Sequence, residues 1–479
     1  MNKLELPEKF SLSMREMLKD EYSLFIDSLS LPPSVSIRKN IQKSCSLGVS
    51  EIVFDGEAPI GWCTQGVYLP SRPSFTMDPL FHAGCYYVQE ASSMFVSQYV
   101  DSLQDSVPLL ALDLCAAPGG KSTLLLSSLP VGSLLFANEI VRQRCMILKE
   151  NVIKWGNPNI IVTNNHSSDY NKSSLKFDVI LCDAPCSGEG MFRKDAVSIH
   201  EWSAENVKLC AHRQKEILSD IWTNLKPGGL LIYSTCTYNI FEDELTARFI
   251  RDELKGQPVS INLKSDWGVD PVNYAGDDIP VYHFFPHRCR GEGFFICGFK
   301  KQSYTQEVDR NHKKLMRNLH KHKIACSFPG IIKNWIKQSE DYIFEVSSSG
   351  DIYAFPASQI DTLYAARQYL NIIYYGIHVA SKKGKDYKPA HSLAMNTLLT
   401  PNSFPVVEVD YATAISYLRS ESIVLPDVGR GYVLLTFNGY PLGFVNNVGN
   451  RANNLYPDSW RIKKYPSHNN SYQNQINIQ

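Results

Sequence analysis

Short apolar runs alternate with amphipathic stretches between residues 109 and 235. The runs read LLALDLC, SLLFANE, NIIVTN, FDVILCD and GLLIYST. Continuous apolar strands of this kind are typical of a parallel sheet that is buried on both faces. Two intervening segments, VRQRCMILKENVIKWG and AENVKLCAHRQKEILSDIWTNL, carry apolar residues at helical spacing. The pattern predicts an α/β fold with helices on both faces of the sheet, the second helix ending at KPGG.

The chain before this region has a different pattern. Apolar residues recur at mostly helical spacing between Leu6 and Leu29, and Pro32-Pro33 ends the pattern. Residues 50–80 are expected to be irregular, because prolines interrupt every short apolar piece. After the sheet, VYHFFP and GFFICGFKK flank PHRCRGEG and predict a hairpin that closes the sheet near Lys301.

A basic segment follows, in which eight Lys and Arg residues between Lys300 and Lys323 face only Glu307 and Asp309. It is interpreted as a basic linker or exposed helix. Short β-like runs then dominate. We therefore expect a helical and irregular lead-in at residues 1–80, the sheet domain at 81–301, the basic linker with a mixed α/β unit at 302–400, a mostly β unit at 401–465, and a polar tail at 466–479.

The composition of the chain is unlike that of disordered or fibrous proteins. The chain has 479 residues with 44% hydrophobic and 20% charged side chains, which is typical of a folded globular protein of several domains. Lys plus Arg and Asp plus Glu number 48 each. Any attraction to nucleic acid must therefore come from local basic clusters.

Cysteine usage and the N-terminus indicate a cellular location. The 12 cysteines form no CxxC pair and no spacing suited to zinc. We expect free thiols, no metal and a reducing compartment. The N-terminal residues mix charges of both signs with apolar residues, unlike a signal peptide, and no apolar run approaches the roughly 20 residues of a membrane span. A cytoplasmic protein that does not associate with a membrane is expected.

The segment LDLCAAPGGKS has the form of a nucleotide-binding turn. A strand leads into small residues with Gly119 and Gly120, and a helix follows. Small residues let backbone N–H groups approach a ligand. The segment is neither GxGxxG nor a Walker loop, and a Gly-Gly turn alone is more often plain turn chemistry. Glu139, about 20 residues further on, can accept hydrogen bonds from ribose hydroxyls. Together the two features favour a single nucleoside-like ligand.

Two cysteines differ from the rest by their context. Cys186 and Cys236 follow two neighbouring strands, in CDAPCSGEG and YSTCTYN, and both can reach the same crevice. A thiolate there can act as a nucleophile without a metal. Asp183 at the tip of the first of these strands can hold a base, although it can equally cap a turn. The other cysteines are interpreted as small buried side chains, except Cys115, which is ambiguous.

Four motifs in this order, LDLCAAPGGK, ANEIVRQR, DAPCSGEG and YSTCTYN, resemble those of the Sun-type (NSUN) RNA cytosine-5 methyltransferases. The resemblance extends through PPSVSIRKN, HAGCYYVQEASSM and FPHRCRGEGFF and covers nearly all of residues 1–300. It implies a Rossmann-like S-adenosylmethionine-dependent methyltransferase sheet. Four ordered motifs are a specific signal.

The resemblance also implies a mechanism. Cys236, in the TC motif, adds to carbon 6 of cytosine, and carbon 5 then takes the methyl group. Cys186, in the PC motif, assists release, and Asp183 touches both cofactor and base. The cofactor is S-adenosyl-L-methionine, and its implied contacts are Asp183, Glu139 and the segment Cys115, Ala116, Ala117, Pro118, Gly119, Gly120 and Lys121.

The region from about residue 387 is similar to the C-terminal, PUA-like RNA-binding part of the small-subunit rRNA members of this family. Small-subunit rRNA, or the subunit itself, is the implied partner of a monomeric enzyme. The chain departs from the family pattern at two places. His166 in TNNHSSDY stands where an aspartate often follows the third strand, so the adenine contact is unassigned, and PLGFVNNVGNRANNLYP carries few positive charges.

Two other interpretations stay open. One is a cytosine-5 enzyme that acts on tRNA or DNA; DNA enzymes of this chemistry use the cysteine of a PC motif, so two placed cysteines favour RNA. The other is a non-enzymatic RNA-binding ribosome assembly factor. A binding protein would not need Cys236, Cys186, Asp183 and Lys121.

Overall fold

The computed structural model describes residues 5–103, 107–302 and 328–463, and the backbone of 476–478. Most of the predicted basic linker lies outside these residues. No helix within the described ranges is both long and apolar enough to cross a membrane.

The chain opens with two helices, α1 (Glu8–Leu18) and α2 (Tyr22–Leu29). The predicted helical pattern is confirmed, with a short break at residues 19–21. Phe10 and Phe25 are buried against Tyr238 and Phe285. Because Tyr238 lies two residues after Cys236, this helical pair supports one of the cysteine loops.

Residues 50–80 are not irregular, so that expectation is wrong. An antiparallel sheet in the order β3-β4-β1-β5 forms from β1 (Val35–Lys39), β3 (Ala58–Ile60), β4 (Cys63–Leu69) and β5 (Tyr86–Val88). A separate strand, β2 (Ile52–Phe54), pairs with β23 (Ile476–Ile478), and helices α3 (Ile41–Leu47) and α4 (Pro79–His82) complete this part. Pro59 is tolerated because β3 is an edge strand. Most of these strands have only three to five residues, which is too short for an alternation of apolar and polar residues to predict them.

The central sheet has the order β11-β13-β10-β9-β6-β7-β8-β16. The five predicted runs form its parallel strands, which are β6 (Leu110–Asp113), β7 (Leu134–Asn138), β8 (Ile160–Thr163), β9 (Phe177–Asp183) and β10 (Leu225–Thr235). The predicted closing hairpin is β12 (Tyr282–Phe284) with β13 (Phe294–Lys301), and β11 (Gly256–Val259) pairs with β13. The predicted α/β sheet is confirmed.

Helices connect these strands and cover the sheet. They are α5 (Val96–Asp101), α6 (Gly120–Ser128), α7 (Arg142–Trp155), α8 (Ala196–Glu201), α9 (Ala204–Trp222) and α10 (Glu244–Asp252). Helix α9 ends at Trp222, before KPGG, and KPGG lies within β10 at an irregularity between Leu225 and Leu230. Two large apolar cores lie on the two faces of the sheet.

The C-terminal part contains two further sheets. The first consists of β14 (Tyr342–Val346), β15 (Ile352–Pro356), β17 (Ile377–Lys383) and β18 (Asp386–Pro389), and the second of β19 (Val406–Glu408), β20 (Gly431–Phe437), β21 (Tyr440–Asn447) and β22 (Ala452–Asn454). Helices lie at Ile360–Arg367, His391–Met395 and Tyr411–Leu418.

One strand of this part joins the central sheet. The sequence pattern assigns QYLNIIYYG to a separate unit, but β16 (Ile372–Tyr375) pairs antiparallel with β8 at the edge of the central sheet. The last sheet shares an apolar core with the N-terminal sheet, in which Val433 and Tyr440 pack with Ile37 and Tyr86. The parts of the chain are therefore packed together and not joined by linkers alone.

Candidate active site

The two cysteines singled out by their sequence context meet at the carboxyl edge of the central sheet. Cys236 follows the last residue of β10, and Cys186 lies three residues beyond β9, whose end pairs with the end of β10. Their Sγ atoms are 3.1 Å apart, and both residues are partly exposed. The structure therefore brings these predicted site residues together.

The thiol of Cys186 differs from an exposed thiol in its acidity. Its hydrogen bond with Cys236 and its burial raise the pKa of Cys186 well above the ordinary thiol value. At neutral pH Cys186 is therefore protonated. A protonated thiol can donate a hydrogen bond or a proton, but it is a poor nucleophile.

Lys121 and Asp183 form a salt bridge beside the thiols. The Nζ atom of Lys121 donates to Oδ2 of Asp183 at 2.8 Å, and the Ser234 hydroxyl donates to Oδ1 at 2.8 Å. Burial disfavours the charge of Lys121, but the Asp183 carboxylate outweighs it, and the pKa of Lys121 is raised. Its ammonium also lies 5.2 Å from the centre of the Phe294 ring. A fixed positive charge thus lies at this edge of the sheet.

The segment from Cys115 to Lys121 forms the turn between β6 and α6. Gly119 has φ +114°, which favours glycine, and a Cβ there would lie 3.3 Å from Leu148. Side chains of α7 hold the turn: Arg144 donates to the carbonyl of Ala117 at 2.9 Å, and Asn151 donates to that of Pro118 at 2.8 Å. The backbone of the turn is therefore held in place by helix α7.

The surroundings of Cys115 indicate its role, which the sequence left open. A hydrogen bond with Cys182 and burial raise the pKa of Cys115 well above the ordinary value. Its thiol is therefore neutral, and the residue contributes a small side chain to the turn.

Glu139 lies at the edge of a cleft of about 990 Å³. Cys115, Ile140, His166 and Pro185 also line this cleft, which opens at the carboxyl ends of the parallel strands. The Glu139 carboxylate accepts a hydrogen bond from the Val141 backbone at 2.9 Å and pairs with Arg144 at 3.3 Å. A cleft of this size, with one buried carboxylate among polar and apolar side chains, suits a nucleoside-like ligand.

His166, at the position where the adenine contact is unassigned, and Asp169, the next aspartate in the sequence, have different surroundings. His166 lines the cleft and caps the 3-10 helix Ser167–Lys172. Asp169 accepts from the His166 backbone at 3.1 Å and pairs with Lys172 at 2.8 Å. Asp169 therefore closes its own turn.

Most other cysteines have the structural role expected of them. Cys63, Cys85, Cys145, Cys182, Cys210, Cys289 and Cys297 are buried, and Cys326 lies outside the described residues. Cys45 was expected to be buried but is exposed. The inner face of α3 is instead taken by Lys43, whose ammonium donates to the carbonyls of Ala83 and Lys154 at 2.6 and 2.7 Å.

Sequence reasoning missed three buried carboxyl groups around the site. Asp113, at the end of β6, accepts a hydrogen bond from Ser122 at 2.6 Å, and burial raises its pKa to about 7. Glu189 and Glu242 lie in the two cysteine loops and are fully buried. A carboxylate at the end of an apolar strand could have drawn attention to Asp113, but no local pattern distinguishes Glu242 from a surface residue.

Comparison with solved structures identifies the fold. A methyltransferase homologue from Pyrococcus horikoshii is 24% identical with a TM-score of 0.52, over 62% of this chain and 96% of its own. NSun6 from Pyrococcus horikoshii, solved with SFG, is 18% identical with a TM-score of 0.50, over 62% of this chain and 99% of its own. The chain has the fold of a Rossmann-like methyltransferase.

Family models narrow this class. The 16S rRNA methyltransferase RsmB/F model matches residues 103–300, the model of the RsmF N-terminal domain matches 6–91, and the RsmF PUA domain model matches 404–462. The ribosomal RNA small subunit methyltransferase F of Aliivibrio salmonicida is 29% identical, over 94% of this chain and 97% of its own. The chain belongs to the RsmF branch of this family of S-adenosylmethionine-dependent RNA methyltransferases.

Proposed function

We propose that the protein methylates carbon 5 of a cytosine in small-subunit ribosomal RNA, with Cys236 as the nucleophile. The observation that carries this proposal is the pair of thiols 3.1 Å apart at the carboxyl edge of the sheet. One thiol can attack while the other acts on the same adduct. A site with a single cysteine could not assign attack and release to two different thiols.

Cytosine requires such a nucleophile because carbon 5 is unreactive until the ring has been attacked. The thiolate of Cys236 forms a bond to carbon 6, which makes carbon 5 an enamine carbon. Carbon 5 then accepts the methyl group. Loss of the proton from carbon 5 breaks the bond between sulfur and carbon 6 and frees the enzyme. Cys186 assists this release.

Lys121 and Asp183 are placed to serve the first step. Lys121 interacts electrostatically with Cys236, so a positive charge lies near the nucleophile of the proposed reaction. Asp183 is held by Lys121 and Ser234, so its carboxylate is oriented before the base arrives. Preorganised charges of this kind stabilise charge that develops on the ring. The base must leave its stack to reach them.

The cleft beside these residues fits S-adenosylmethionine. Glu139 would accept hydrogen bonds from the ribose, the turn from Cys115 to Lys121 would lie against the ligand, and Ile140 would provide apolar contact. When bound, this cofactor supplies an electrophilic methyl group. Pro185, the residue before Cys186, also lines the cleft, so the cofactor and the base would meet at one edge of the sheet.

The substrate is inferred from the domains that flank the sheet. The PUA domain at residues 404–462 supports RNA binding, and the relative from Aliivibrio salmonicida is named as a ribosomal RNA small subunit methyltransferase. A ribosomal substrate is consistent with a cytoplasmic enzyme. The division into domains and the monomeric state stay predictions.

Bisulfite sequencing of ribosomal and transfer RNA from cells with and without the protein tests the proposal. We expect a cytosine of the small-subunit rRNA to be protected only when the protein is present and to lose protection in the Cys236→Ala variant. Protection confined to tRNA would assign the alternative substrate. Unchanged protection in both RNAs would contradict the proposal.

A further inference from the structure

Glu242 is a fully buried carboxylate between the two cysteine loops. Its oxygens accept hydrogen bonds from the backbone of Ser187 at 3.0 Å, from Gln214 at 2.7 Å and from Asn239 at 2.9 Å. No Lys, Arg or His side chain of the described residues pairs with it. The carboxylate is held by uncharged donors, which are the N–H groups of Ser187, Gln214 and Asn239 and the side chain of Ser187, so its contacts are directional and not merely electrostatic.

These contacts hold both peptide groups that flank Cys186. The N–H group that follows Cys186 belongs to Ser187 and donates to Glu242. The carbonyl that precedes it belongs to Pro185 and accepts from Gln214 at 3.0 Å. Because Gln214 also donates to Glu242, one buried pair fixes the backbone on both sides of the thiol.

The same carboxylate is connected to the loop of Cys236. Asn239, three residues after Cys236, exchanges two hydrogen bonds with Glu242, since the Glu242 backbone donates to the Asn239 side chain at 3.0 Å. The hydroxyl of Tyr233 on β10 lies 2.7 Å from the Glu242 carbonyl and 3.0 Å from Gln214. Glu242 is therefore shared between the two loops.

A second set of contacts joins the loops on the other side. The backbone of Gly190 donates to the carbonyl of Cys236 at 2.8 Å. The Glu189 carboxylate accepts from the backbone of Tyr238 at 2.9 Å and from Trp202 at 2.9 Å. This second set contacts Cys236 directly, whereas Glu242 is the group that touches the backbone next to Cys186.

The chemistry of Glu242 fits a fixed role. Burial raises its pKa, and the donors around it lower the pKa and offset part of that shift. Only a side chain with two acceptor oxygens satisfies donors on both sides. A glutamine there would turn its NH₂ group toward at least one N–H donor and leave that donor unsatisfied.

We propose that Glu242 is a positioning residue that holds the Cys186 thiol against Cys236. Glu242 is fully buried and does not line the cleft, so it acts through the Cys186 loop. Its effect on the thiol distance follows from the structure alone. Its effect on catalysis rests on the proposed function, in which Cys186 assists release.

Disulfide formation with diamide measures the thiol distance without any RNA. The two thiols give up two protons and two electrons, these reduce the azo bond of diamide to a hydrazine, and one S–S bond forms. We expect Glu242→Gln and Gln214→Met to slow formation of the Cys186–Cys236 disulfide by about tenfold, as for loss of a hydrogen bond to a charged group. Peptide mass spectrometry identifies the disulfide.

The matched control is Glu345→Gln, which removes a buried carboxylate that pairs with Arg367 far along the chain. It should form the disulfide at the wild-type rate even if it melts earlier. Wild-type rates in both folded variants, Glu242→Gln and Gln214→Met, would overturn the proposal. Failure of the wild-type protein to form the disulfide would contradict the thiol pairing on which the proposal rests.

Covalent trapping then tests the catalytic consequence. With RNA and S-adenosylmethionine, Glu242→Gln should accumulate a protein–RNA band on a denaturing gel, as we also expect of Cys186→Ala, because attack by Cys236 persists and release slows. Glu345→Gln should show no band. If the disulfide forms slowly in Glu242→Gln but Cys186→Ala traps no RNA, the release step assigned to Cys186 is refuted. The positioning role of Glu242 would then stand. Trapping in Cys186→Ala but not in Glu242→Gln would overturn the catalytic part.

Discussion

Lys121 and Asp183 are joined by a 2.8 Å hydrogen bond between Nζ and Oδ2, although one begins a helix after the first parallel strand and the other ends the fourth. The pair links the turn between β6 and α6, beside the proposed cofactor cleft, to the edge of the sheet that carries the thiols. Only 16% of the Lys121 side chain is exposed, so its charge is weakly screened by solvent. It therefore acts on groups at the edge of the sheet.

Replacement of Lys121 by methionine should lower the rate of methyl transfer by roughly 10²-fold, which is typical for loss of one preorganised charge. The apolar chain is kept, but Asp183 loses its partner and the thiolate of Cys236 loses a nearby cation. Single-turnover methylation of RNA measures the effect. Ser234→Ala, which removes the other hydrogen bond to Asp183, is the milder comparison. An equal rate in wild type and Lys121→Met would remove Lys121 from the site.

The parallel strands and the meeting of the two cysteines could be predicted from the sequence. Each strand is a continuous apolar run, and the carboxyl ends of neighbouring parallel strands share one edge. Cys186 and Cys236 therefore needed only their positions after two runs to be placed together. The positions of the glycine turn and of Glu139 could be predicted in the same way, because each also follows the end of a parallel strand.

Other features could not be predicted because they depend on distant contacts. Glu242 lies in NIFEDEL, a polar stretch typical of an exposed helix start, and becomes buried only when the loops after β9 and β10 close over it. The strand β16 contains ordinary β-forming residues, but nothing in IIYY specifies β8 as its partner. Pairing and burial of this kind arise from tertiary packing.

Glu139→Ala should weaken S-adenosylmethionine binding by about tenfold or more, because a charged acceptor of the ribose hydroxyls is lost. Calorimetry on the purified protein measures the affinity. Glu216→Gln, on the opposite rim of the cleft, should bind as wild type does. Unchanged affinity in Glu139→Ala would leave Glu139 only its contacts with Val141 and Arg144. Weakened binding in Glu216→Gln would place the ligand nearer to α9.

Substitution of Arg430 and Arg451 by glutamine should weaken RNA binding and reduce its salt dependence. Both residues are exposed in the PUA domain, and removing one cation that pairs with a phosphate should lower the slope of log affinity against log salt by about 1. Filter binding at several salt concentrations gives this slope. Lys9→Gln on α1 serves as the control for a change of charge alone. If the wild type, the arginine variant and Lys9→Gln all have the same salt slope, the phosphate-binding residues lie elsewhere.

Glu21 should make the stability of the protein depend on acid. Its hydrogen bonds with Arg288, and then with His287, lower the pKa of Glu21 from 4.5 to about 2. A lowered folded-state pKa stabilises the fold above the unfolded value, and this contribution is lost as the pH falls from about 4.5 to about 2. Glu21→Gln should thus melt earlier than wild type at neutral pH.

Melting curves of both proteins across this range provide the measurement. The difference in melting temperature should shrink as the pH falls through that window. Glu16→Gln, on the exposed side of α1, should show no such trend. A difference that is constant with pH would mean that Glu21 contributes through packing and not through its charge.

Loss of Cys236 and loss of Cys186 should block the reaction at different steps, because attack precedes methyl transfer and release follows it. Cys236→Ala should abolish methylation and form no covalent complex, since carbon 5 is never activated. Cys186→Ala should attack normally and then remain bound, giving a slowly migrating protein–RNA band on a denaturing gel when cofactor is present. Their Sγ atoms are 3.1 Å apart, so both can reach the same base.

The double variant locates the bond. If Cys236 carries the adduct, the band seen with Cys186→Ala must disappear when Cys236 is also replaced. Cys182→Ala is a suitable control, because that thiol is fully buried in the core and cannot reach the base. A band with Cys236→Ala but not with Cys186→Ala would reverse the two roles. The attacking thiol would then be the one in the PC motif, and the high pKa of Cys186 would have to fall when the base binds before that thiol could attack.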